Sequence, residues 1–208
     1  WQPVASHSED RNVVRGCDEP FQQTGGLSLV EGNLGRAIVK VSAVAEENRR
    51  IRAPARVFQS QEAFLAAFEA GTLNQDVVVV VSHQGPKSNG MPELHKLTPY
   101  LGILQNKGFK VALLTDGRMS GASGKVLSAI HVTPVACADG PISQIENDDI
   151  VIIDAERGLL EVEAVLANRE FKTTDNTMHE SGMGRELFLP FRRGVGPAES
   201  GATIFELS

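Results

Sequence analysis

The sequence is poor in the residues that build disulfide frameworks, metal clusters and membrane spans. Its 208 residues include two cysteines and one tryptophan, and no apolar run approaches the roughly 18 residues that a membrane span needs. Cys17 and Cys137 form no CxxC pair, so a disulfide is possible but unsupported, and two thiols in a reducing cytoplasm are the default expectation. Two cysteines also fall short of the three or four thiolates that usually hold an iron–sulfur cluster.

The sequence has no excess of basic charge either. Its formal net charge of −6 argues against nucleic-acid binding as the main role, although it leaves room for a local basic pocket. Residues 1–24 are polar and aperiodic, and the chain opens with neither Met nor a signal-peptide pattern. We therefore expect residues 1–24 to be a linker or arm from a missing N-terminal domain, and residues 25–208 to form the folded domain.

One stretch, Gly85–Lys125, organises the rest of the chain. Two glycine-rich loops lie at its ends, and each follows an apolar run, Val77–Val81 for the first and Val111–Leu114 for the second. A helix is predicted between them, over Glu93–Asn106. Because parallel strands place the loops that follow them at the same edge of a sheet, the two loops are expected to face one site.

Two residues of these loops are candidates for chemistry. Pro92 suits the first turn of a helix, which would put Glu93 at the positive helix end, where a carboxylate can ligate a hard divalent cation. Ser120 follows Met119 in a loop of small residues, where a reactive hydroxyl could meet converging backbone N–H groups. The structural alternatives stay open: a helix-end charge for Glu93 and a solvated turn serine for Ser120.

Further elements follow from periodicity and turn signals. Strands are predicted at Leu27–Val30, Arg36–Val44, Ala53–Phe58, Val77–Val81, Ile142–Ile145, Asp149–Ile153 and Leu159–Glu163, the last two as a hairpin. Helical segments are predicted after Ser60 as the N-cap, at Lys125–Ile130, at Ala164–Arg169 and after Gly184. The five valines of Val77–Val81 indicate a central parallel strand buried on both faces. Strands alternating with helices argue for an α/β domain.

The motifs of the central stretch resemble a known family. GPKSNGMPELHKLTP, then TDGRMSGASGK and IHVTP, with GGLSLVEGNLGRAIVKVSAV near the start and GRELF near the end, carry the resemblance. From about Gly25 onward the chain resembles the C-terminal domain of the dihydroxy-acid dehydratase / 6-phosphogluconate dehydratase family. MPELHKLTP and GRMSGASGK resemble the 6-phosphogluconate branch.

The resemblance implies a fold and a reaction. The fold would be a swivelling β/β/α domain with a barrel-like β core flanked by helices. The reaction would be removal of water from 6-phosphogluconate in the Entner–Doudoroff route. Ser120 matches the proposed proton-abstracting base, and Glu93 matches a ligand of Mg²⁺ or Mn²⁺. The iron–sulfur cluster, expected as 4Fe–4S, would be held by the missing N-terminal domain, so the chain alone should be inactive. A homodimer in the cytoplasm is also implied.

Cations and polar groups beside the same loops could bind the substrate phosphate. They are Lys87, Ser88, Asn89, Arg118 and Lys125. Structural roles are expected for the histidines at 95 and 131, which lack metal-ligand spacing, and a turn-capping role for the aspartate at 116.

The sequence departs from the family pattern at two places, and two alternative functions stay open. Ser82 and His83 stand where Arg-Phe is expected before Gln-Gly-Pro, and Val135 stands where HVTPEA has glutamate. The first alternative function is another dihydroxy-acid or sugar-acid dehydratase of the same family. The second is a non-catalytic module that binds a sugar phosphate or another anion.

Overall fold

The structure is a computed structural model that describes residues 1, 3–119, 124–174 and 181–205. The strands are β1 Leu27–Gly32, β2 Gly35–Lys40, β3 Arg50–Phe58, β4 Val77–Val81, β5 Val111–Thr115, β6 Leu127–Thr133, β7 Ile150–Asp154 and β8 Leu159–Val162. The α-helices are α1 Gln61–Glu69, α2 Leu97–Asn106 and α3 Leu189–Gly194. Short 3₁₀ turns connect several of them.

The eight strands form a closed barrel in the order β1-β2-β6-β5-β4-β3-β7-β8. Strands β3, β4, β5 and β6 are parallel neighbours, and β7–β8 is the predicted antiparallel hairpin. The mixed sheet with its flanking helices confirms the α/β class and the barrel-like β core. Closure removes the exposed sheet edges that would otherwise pair with another chain.

Strand β4 is buried on both faces, as its five valines predict. Val78 and Val80 point into the barrel interior, while Val77, Val79 and Val81 pack beneath helices α1 and α2. All five are completely buried. Because successive strand residues face opposite sides, one apolar run contributes to two separate cores.

Helix α1 has the capping that its sequence predicts. The Ser60 hydroxyl accepts a hydrogen bond from the Ala63 N–H at 3.1 Å, which satisfies one of the unpaired donors of the first turn. Gly71, with φ of +72°, follows the end of the helix in the left-handed conformation that glycine adopts without a steric penalty.

Helix α2 begins later than predicted. The prediction was Glu93–Asn106, but the helix starts at Leu97, so Pro92 is not in its first turn. Glu93 instead forms an isolated parallel β-bridge with Arg118. The expected position of Glu93 at a positive helix end is therefore wrong, because pairing with the second loop holds this segment extended.

The helix predicted at Lys125–Ile130 is wrong as well. It runs into β6, where Leu127, Ser128 and Ala129 pair with Ala112–Leu114 of β5. These residues have no strong local strand pattern, so tertiary pairing with a buried strand overrides their helix propensity.

The predicted strand Ile142–Ile145 is also wrong, because Pro141–Gln144 forms a 3₁₀ helix. Pro141 lacks an N–H to donate to a sheet but is well suited to the first position of a helix. The preceding Gly140 lies against the backbone of Pro134, whose carbonyl oxygen would be 2.1 Å from a Cβ at position 140. The chain turns there and cannot continue as a strand.

The chain before β1 is largely exposed. Residues 1 and 3–24 contain turns and bends but no helix or strand, and nearly all of them are exposed. No helix within the described ranges combines the length and the apolar character that crossing a membrane requires.

The barrel closes at a short parallel seam between β1 and β8. Gly32 lies so close to β8 that a Cβ there would be 2.2 Å from the Leu160 carbonyl oxygen. The Asn33 side chain then extends the seam: it donates to the Val162 carbonyl at 2.7 Å and accepts from the Val162 N–H at 2.9 Å. A side-chain amide thus supplies the pairing that the short β1 backbone does not reach.

The seam predicts that Asn33→Ala lowers the free energy of unfolding by about 1–3 kcal/mol, because two backbone groups of Val162 lose their partners. Asn168→Ala, at an exposed position, serves as the control and should change it by less than about 0.5 kcal/mol. Urea denaturation measures both. Equal stability of the two variants would contradict a closing role for Asn33.

Candidate functional site

The two glycine-rich loops meet at one edge of the barrel. Strands β4 and β5 are parallel and in register from Val77↔Val111 to Val81↔Thr115, so the loops that follow them leave from the same end. The Leu94 N–H donates to the Arg118 carbonyl at 3.3 Å, and the His131 N–H donates to the Gly117 carbonyl at 2.9 Å. The start of the second loop is therefore flanked by the first loop and by β6, as the sequence predicts for the two loops.

A single buried carboxylate ties these segments together. Asp116 is completely buried at the end of β5. Its Oδ1 accepts from the Gln84 N–H at 2.8 Å, and its Oδ2 accepts from the Ala136 N–H at 2.9 Å. Burial raises the pKa of this carboxyl, while the two backbone N–H groups and the nearby His83 act in the opposite direction. Asp116 does more than cap its own turn, because it joins loops that follow three different strands.

Two glycines let the loops approach each other this closely. A Cβ at Gly117 would be 2.6 Å from the Gln84 Cβ, and a Cβ at Gly85 would be 2.9 Å from a methyl carbon of Val135. Val135, one of the departures from the family pattern, is buried in this contact. An apolar residue therefore suits position 135 in this chain.

Glu93 and Arg118 form the charged centre of the edge. The Arg118 Nη1 donates to Glu93 Oε2 at 2.9 Å, and its Nε donates to the Met91 carbonyl at 2.8 Å. The Glu93 side chain is 27% exposed and that of Arg118 is 50% exposed, so the pair is open to solvent on one side. A carboxylate has enough lone pairs to bind a guanidinium and a further cation together.

His131 lies beside this pair, which its sequence spacing did not indicate. Its backbone is left-handed, with φ of +56°, at an irregularity in the pairing of β2 with β6. Partial burial, together with the positive charge of Arg118, lowers the pKa of His131 and favours the neutral imidazole. Strained residues and strand irregularities concentrate at functional sites, so His131 belongs among the candidate site residues. The sequence feature that could have pointed to His131 is its position directly before Val-Thr-Pro.

Ser120, the candidate base, lies outside the described residues. The residue before it, Met119, is anchored: its sulfur accepts a hydrogen bond from the Thr98 hydroxyl of α2 at 2.7 Å, and it packs against the outer apolar core. In sequence, Ser120 directly follows the anchored Met119 and lies two positions after Arg118.

The residues proposed to bind phosphate do not form one group. Lys87 is exposed in the first loop, Ser88 is completely buried, and Asn89 donates to Gln84 Oε1 at 2.9 Å. Lys125 precedes β6, which runs parallel to β5, so it lies at the opposite edge of the sheet from Arg118. Its carbonyl accepts from Gln105, near the far end of α2. The structure thus brings the first loop and Arg118 together, but not Lys125.

The other departure, Ser82 and His83, forms a local hydrogen-bonded link. The Ser82 hydroxyl lies 3.1 Å from His83 Nδ1, and His83 Nε2 lies 2.8 Å from the Lys172 carbonyl. Since a carbonyl only accepts, Nε2 carries the proton and Nδ1 accepts from the serine. Both residues are buried, so in this chain they fasten the segment after β8 to the first loop.

The described side chains can supply one ligand to a divalent cation, but they do not suit an iron–sulfur cluster. Among residues 1, 3–119, 124–174 and 181–205, no three His, Cys, Asp or Glu side chains are grouped to hold a metal ion. Both cysteines are exposed and free. Glu93 suits Mg²⁺, which often takes one or two protein carboxylates and completes its shell with water or substrate. The thiols of this chain do not suit an iron–sulfur cluster.

Comparison with known proteins identifies the family. The sequence model described as "Dihydroxy-acid/6-phosphogluconate dehydratase C-terminal" matches residues 12–202. The chain belongs to this dehydratase family. The match starts within the predicted arm and covers both glycine-rich loops, the barrel and helix α3.

Individual members of the dehydratase family are similar over nearly the whole chain. The phosphogluconate dehydratase of Rhizobium meliloti is 53% identical over 206 residues, and that of Escherichia coli K12 is 52% identical over 206 residues; each alignment covers 98% of this chain. A dihydroxy-acid dehydratase of Acetivibrio thermocellus is 40% identical over 158 residues, or 74% of the chain. The chain spans about a third of the two phosphogluconate dehydratases, 34% of each.

The buried carboxylate yields a stability prediction. Asp116→Asn keeps the shape but turns one acceptor oxygen into an NH₂ group that faces a backbone N–H. Because that donor becomes unsatisfied, the free energy of unfolding should fall by about 1–3 kcal/mol. Chemical denaturation at neutral pH provides the measurement.

Asp139→Asn is the matched control. Asp139 is exposed and left-handed, a conformation that asparagine tolerates equally well, so the change should be within about 0.5 kcal/mol of zero. If Asp116→Asn were as stable as this control, the carboxylate would not be what holds the loops together.

Proposed function

We propose that the native protein carrying this chain is a hydro-lyase that converts 6-phospho-D-gluconate to 2-dehydro-3-deoxy-6-phospho-D-gluconate. The observation that carries the proposal is the 50–53% identity to several phosphogluconate dehydratases over nearly the whole chain. The dihydroxy-acid dehydratase match is weaker and shorter. The reaction places the protein in the Entner–Doudoroff route.

The proposed reaction is an elimination without net oxidation or reduction. A base removes the proton from carbon 2, the hydroxyl leaves carbon 3 as water, and the resulting enol becomes the 2-keto acid. Hydroxide is a poor leaving group, and the proton is weakly acidic while the neighbouring carboxylate stays charged. When bound, an iron–sulfur cluster supplies a Lewis acid that helps the hydroxyl to leave. Mg²⁺ or Mn²⁺ neutralises the charge of the carboxylate beside carbon 2, which makes the proton more acidic.

In this proposal Glu93 holds the divalent cation, and Arg118 keeps its carboxylate in place. The two hydrogen bonds from Arg118, to Glu93 and to the Met91 carbonyl, fix the direction of the carboxylate relative to the first loop. The remaining ligands come from the N-terminal domain and from substrate.

Ser120 is the proposed base. A serine hydroxyl is a weak base in water, so it needs nearby positive charge and backbone donors that favour its ionised form. Arg118, two positions before it, is the nearest cation in sequence. Backbone turns of the first loop at Lys87, Ser88 and Asn89 add polar groups at the same edge. Lys125 lies at the opposite edge and has no part in this proposal.

The remaining elements of the proposal concern assembly and location. The cluster, as 4Fe–4S, is held by an N-terminal domain against which this domain packs, and the native protein is a homodimer in the cytoplasm. The resemblance to the family supports these points. Sedimentation of the native protein measures the oligomer, and iron and sulfide analysis measures the cluster.

The substrate is tested by anaerobic assay of the native full-length protein. It should turn over 6-phosphogluconate with a kcat/KM at least about 100-fold above that for a branched dihydroxy acid, since the binding energy of a phosphate is available only with the first. Good turnover of the dihydroxy acid without turnover of 6-phosphogluconate would assign the protein to the other branch. No turnover of either would favour a non-catalytic module.

The site residues are tested by Glu93→Gln and Ser120→Ala. Ser120→Ala should lower kcat by about 10²- to 10⁴-fold, the usual contribution of a general base, with the metal still bound. Glu93→Gln should weaken Mn²⁺ binding, measured by electron paramagnetic resonance, as well as turnover. Glu62→Gln, at an exposed position on α1, should change neither. Near-normal rates in either site variant would remove that residue from the mechanism.

A further inference from the structure

Two histidines at the barrel edge that carries the candidate site have a left-handed backbone. Their φ angles are +60° at His83 and +56° at His131. Glycine adopts this conformation without a steric penalty, but it is uncommon for residues that carry a side chain. At His83 the side chain is in use, because its ring lies 3.1 Å from the Ser82 hydroxyl and 2.8 Å from the Lys172 carbonyl. The histidine at 131 calls for an explanation of the same kind.

The backbone of His131 holds the start of the second loop. Its N–H donates to the Gly117 carbonyl at 2.9 Å, at the point where the register of β2 with β6 shifts. A glycine at 131 would make the same hydrogen bond from the same backbone, so this contact explains the conformation but not the imidazole. Within the ranges that the structure describes, no hydrogen bond joins the imidazole to another residue. The ring is therefore available to a ligand.

His131 lines a cleft of about 290 Å³ beside the site. Strands β1, β2 and β6 form one side of the cleft, and the 3₁₀ turn Ala198–Ser200 forms the other. The two charged residues that line it, Arg36 and Glu199, are paired with each other at 2.6 Å, so their charges cancel. A cleft without net charge suits an uncharged, hydroxylated part of a ligand better than a phosphate or a carboxylate.

The imidazole approaches the charged centre of the site from the side of β6. Gly117, which accepts the His131 N–H, directly precedes Arg118, and Arg118 Nη1 donates to Glu93 Oε2 at 2.9 Å. Partial burial and, to a smaller extent, the positive charge of Arg118 lower the pKa of His131. The ring is therefore neutral at neutral pH and offers one N–H donor and one acceptor nitrogen.

A neutral imidazole complements a hydroxyl group. A hydroxyl both donates and accepts, so it can bond to either ring nitrogen. The substrate proposed above carries hydroxyl groups along its carbon chain, starting beside the carboxylate that the cation on Glu93 would take. The imidazole lies beside that charged centre, where the hydroxylated part of the chain begins.

We propose that His131 binds a hydroxyl group of the dihydroxy-acid substrate through its imidazole, and that the adjoining cleft accommodates part of the hydroxylated carbon chain. The proposal rests on the proposed function for the class of substrate. It gives β6 a direct part in substrate binding, next to the two glycine-rich loops.

The kinetic test uses His131→Asn in the native full-length holoenzyme. Asparagine tolerates the left-handed backbone, so the N–H to Gly117 is kept, whereas its side chain is shorter than the imidazole. The KM for 6-phosphogluconate should rise by about 3- to 10-fold with a smaller change in kcat, because one hydrogen bond between uncharged groups is lost. The urea concentration at the midpoint of unfolding should stay the same.

His95→Asn, at an exposed position in the same part of the chain, is the matched control. It should leave both the KM and the unfolding midpoint as in wild type. An unchanged KM in His131→Asn would overturn the proposal, and so would a lowered unfolding midpoint without a change in KM, which is the result expected of a purely structural residue. Equal increases of KM in both variants would overturn it as well.

A second measurement needs neither turnover nor a change at position 131. Diethyl pyrocarbonate modifies accessible neutral imidazoles, and mass spectrometry follows each histidine in the Ser120→Ala holoenzyme. Addition of 6-phosphogluconate should slow modification of His131 and leave that of His95 unchanged. Equal modification of His131 with and without any hydroxy acid would overturn the proposal. Protection of His131 by a branched dihydroxy acid but not by 6-phosphogluconate would sustain the contact and refute the proposed function.

Discussion

The candidate site depends on one buried carboxylate that holds three chain segments. Asp116 receives N–H groups from Gln84 in the first loop and Ala136 beyond β6, while its own backbone opens the second loop. A charged group in so buried a place is costly unless it is hydrogen-bonded, and two backbone donors offset that cost. The glycines at 85 and 117 follow from the same constraint, because a side chain at either position would force the loops apart.

Once the loops are fixed, the placement of the charged groups follows. Arg118 enters an extended bridge with Glu93, and its guanidinium binds that carboxylate while its backbone leads to Met119, which packs on α2. The site is thus assembled from side chains on rigid neighbours, the arrangement that catalysis and specific binding require.

Local chemistry predicted some elements and could not predict others. The valines of Val77–Val81 and the Ser60 cap act within a few residues, so their strand and helix were foreseeable. Lys125–Ile130 was misassigned because its strand exists only through pairing with β5, and α2 starts late because Glu93 pairs with Arg118 instead. The meeting of the two loops was foreseeable from parallel strands. The closing role of Asn33 was not, since it contacts a strand far along the chain.

The measurement that tests this account most directly is amide hydrogen exchange at Gln84 and Ala136, followed by nuclear magnetic resonance. Both amides donate to the same buried carboxylate. The account predicts that both exchange slowly in the native protein and that both accelerate together when Asp116 is replaced by alanine, which removes both acceptor oxygens. Exchange of either amide at the rate of an exposed loop, or acceleration of only one in the variant, would contradict it.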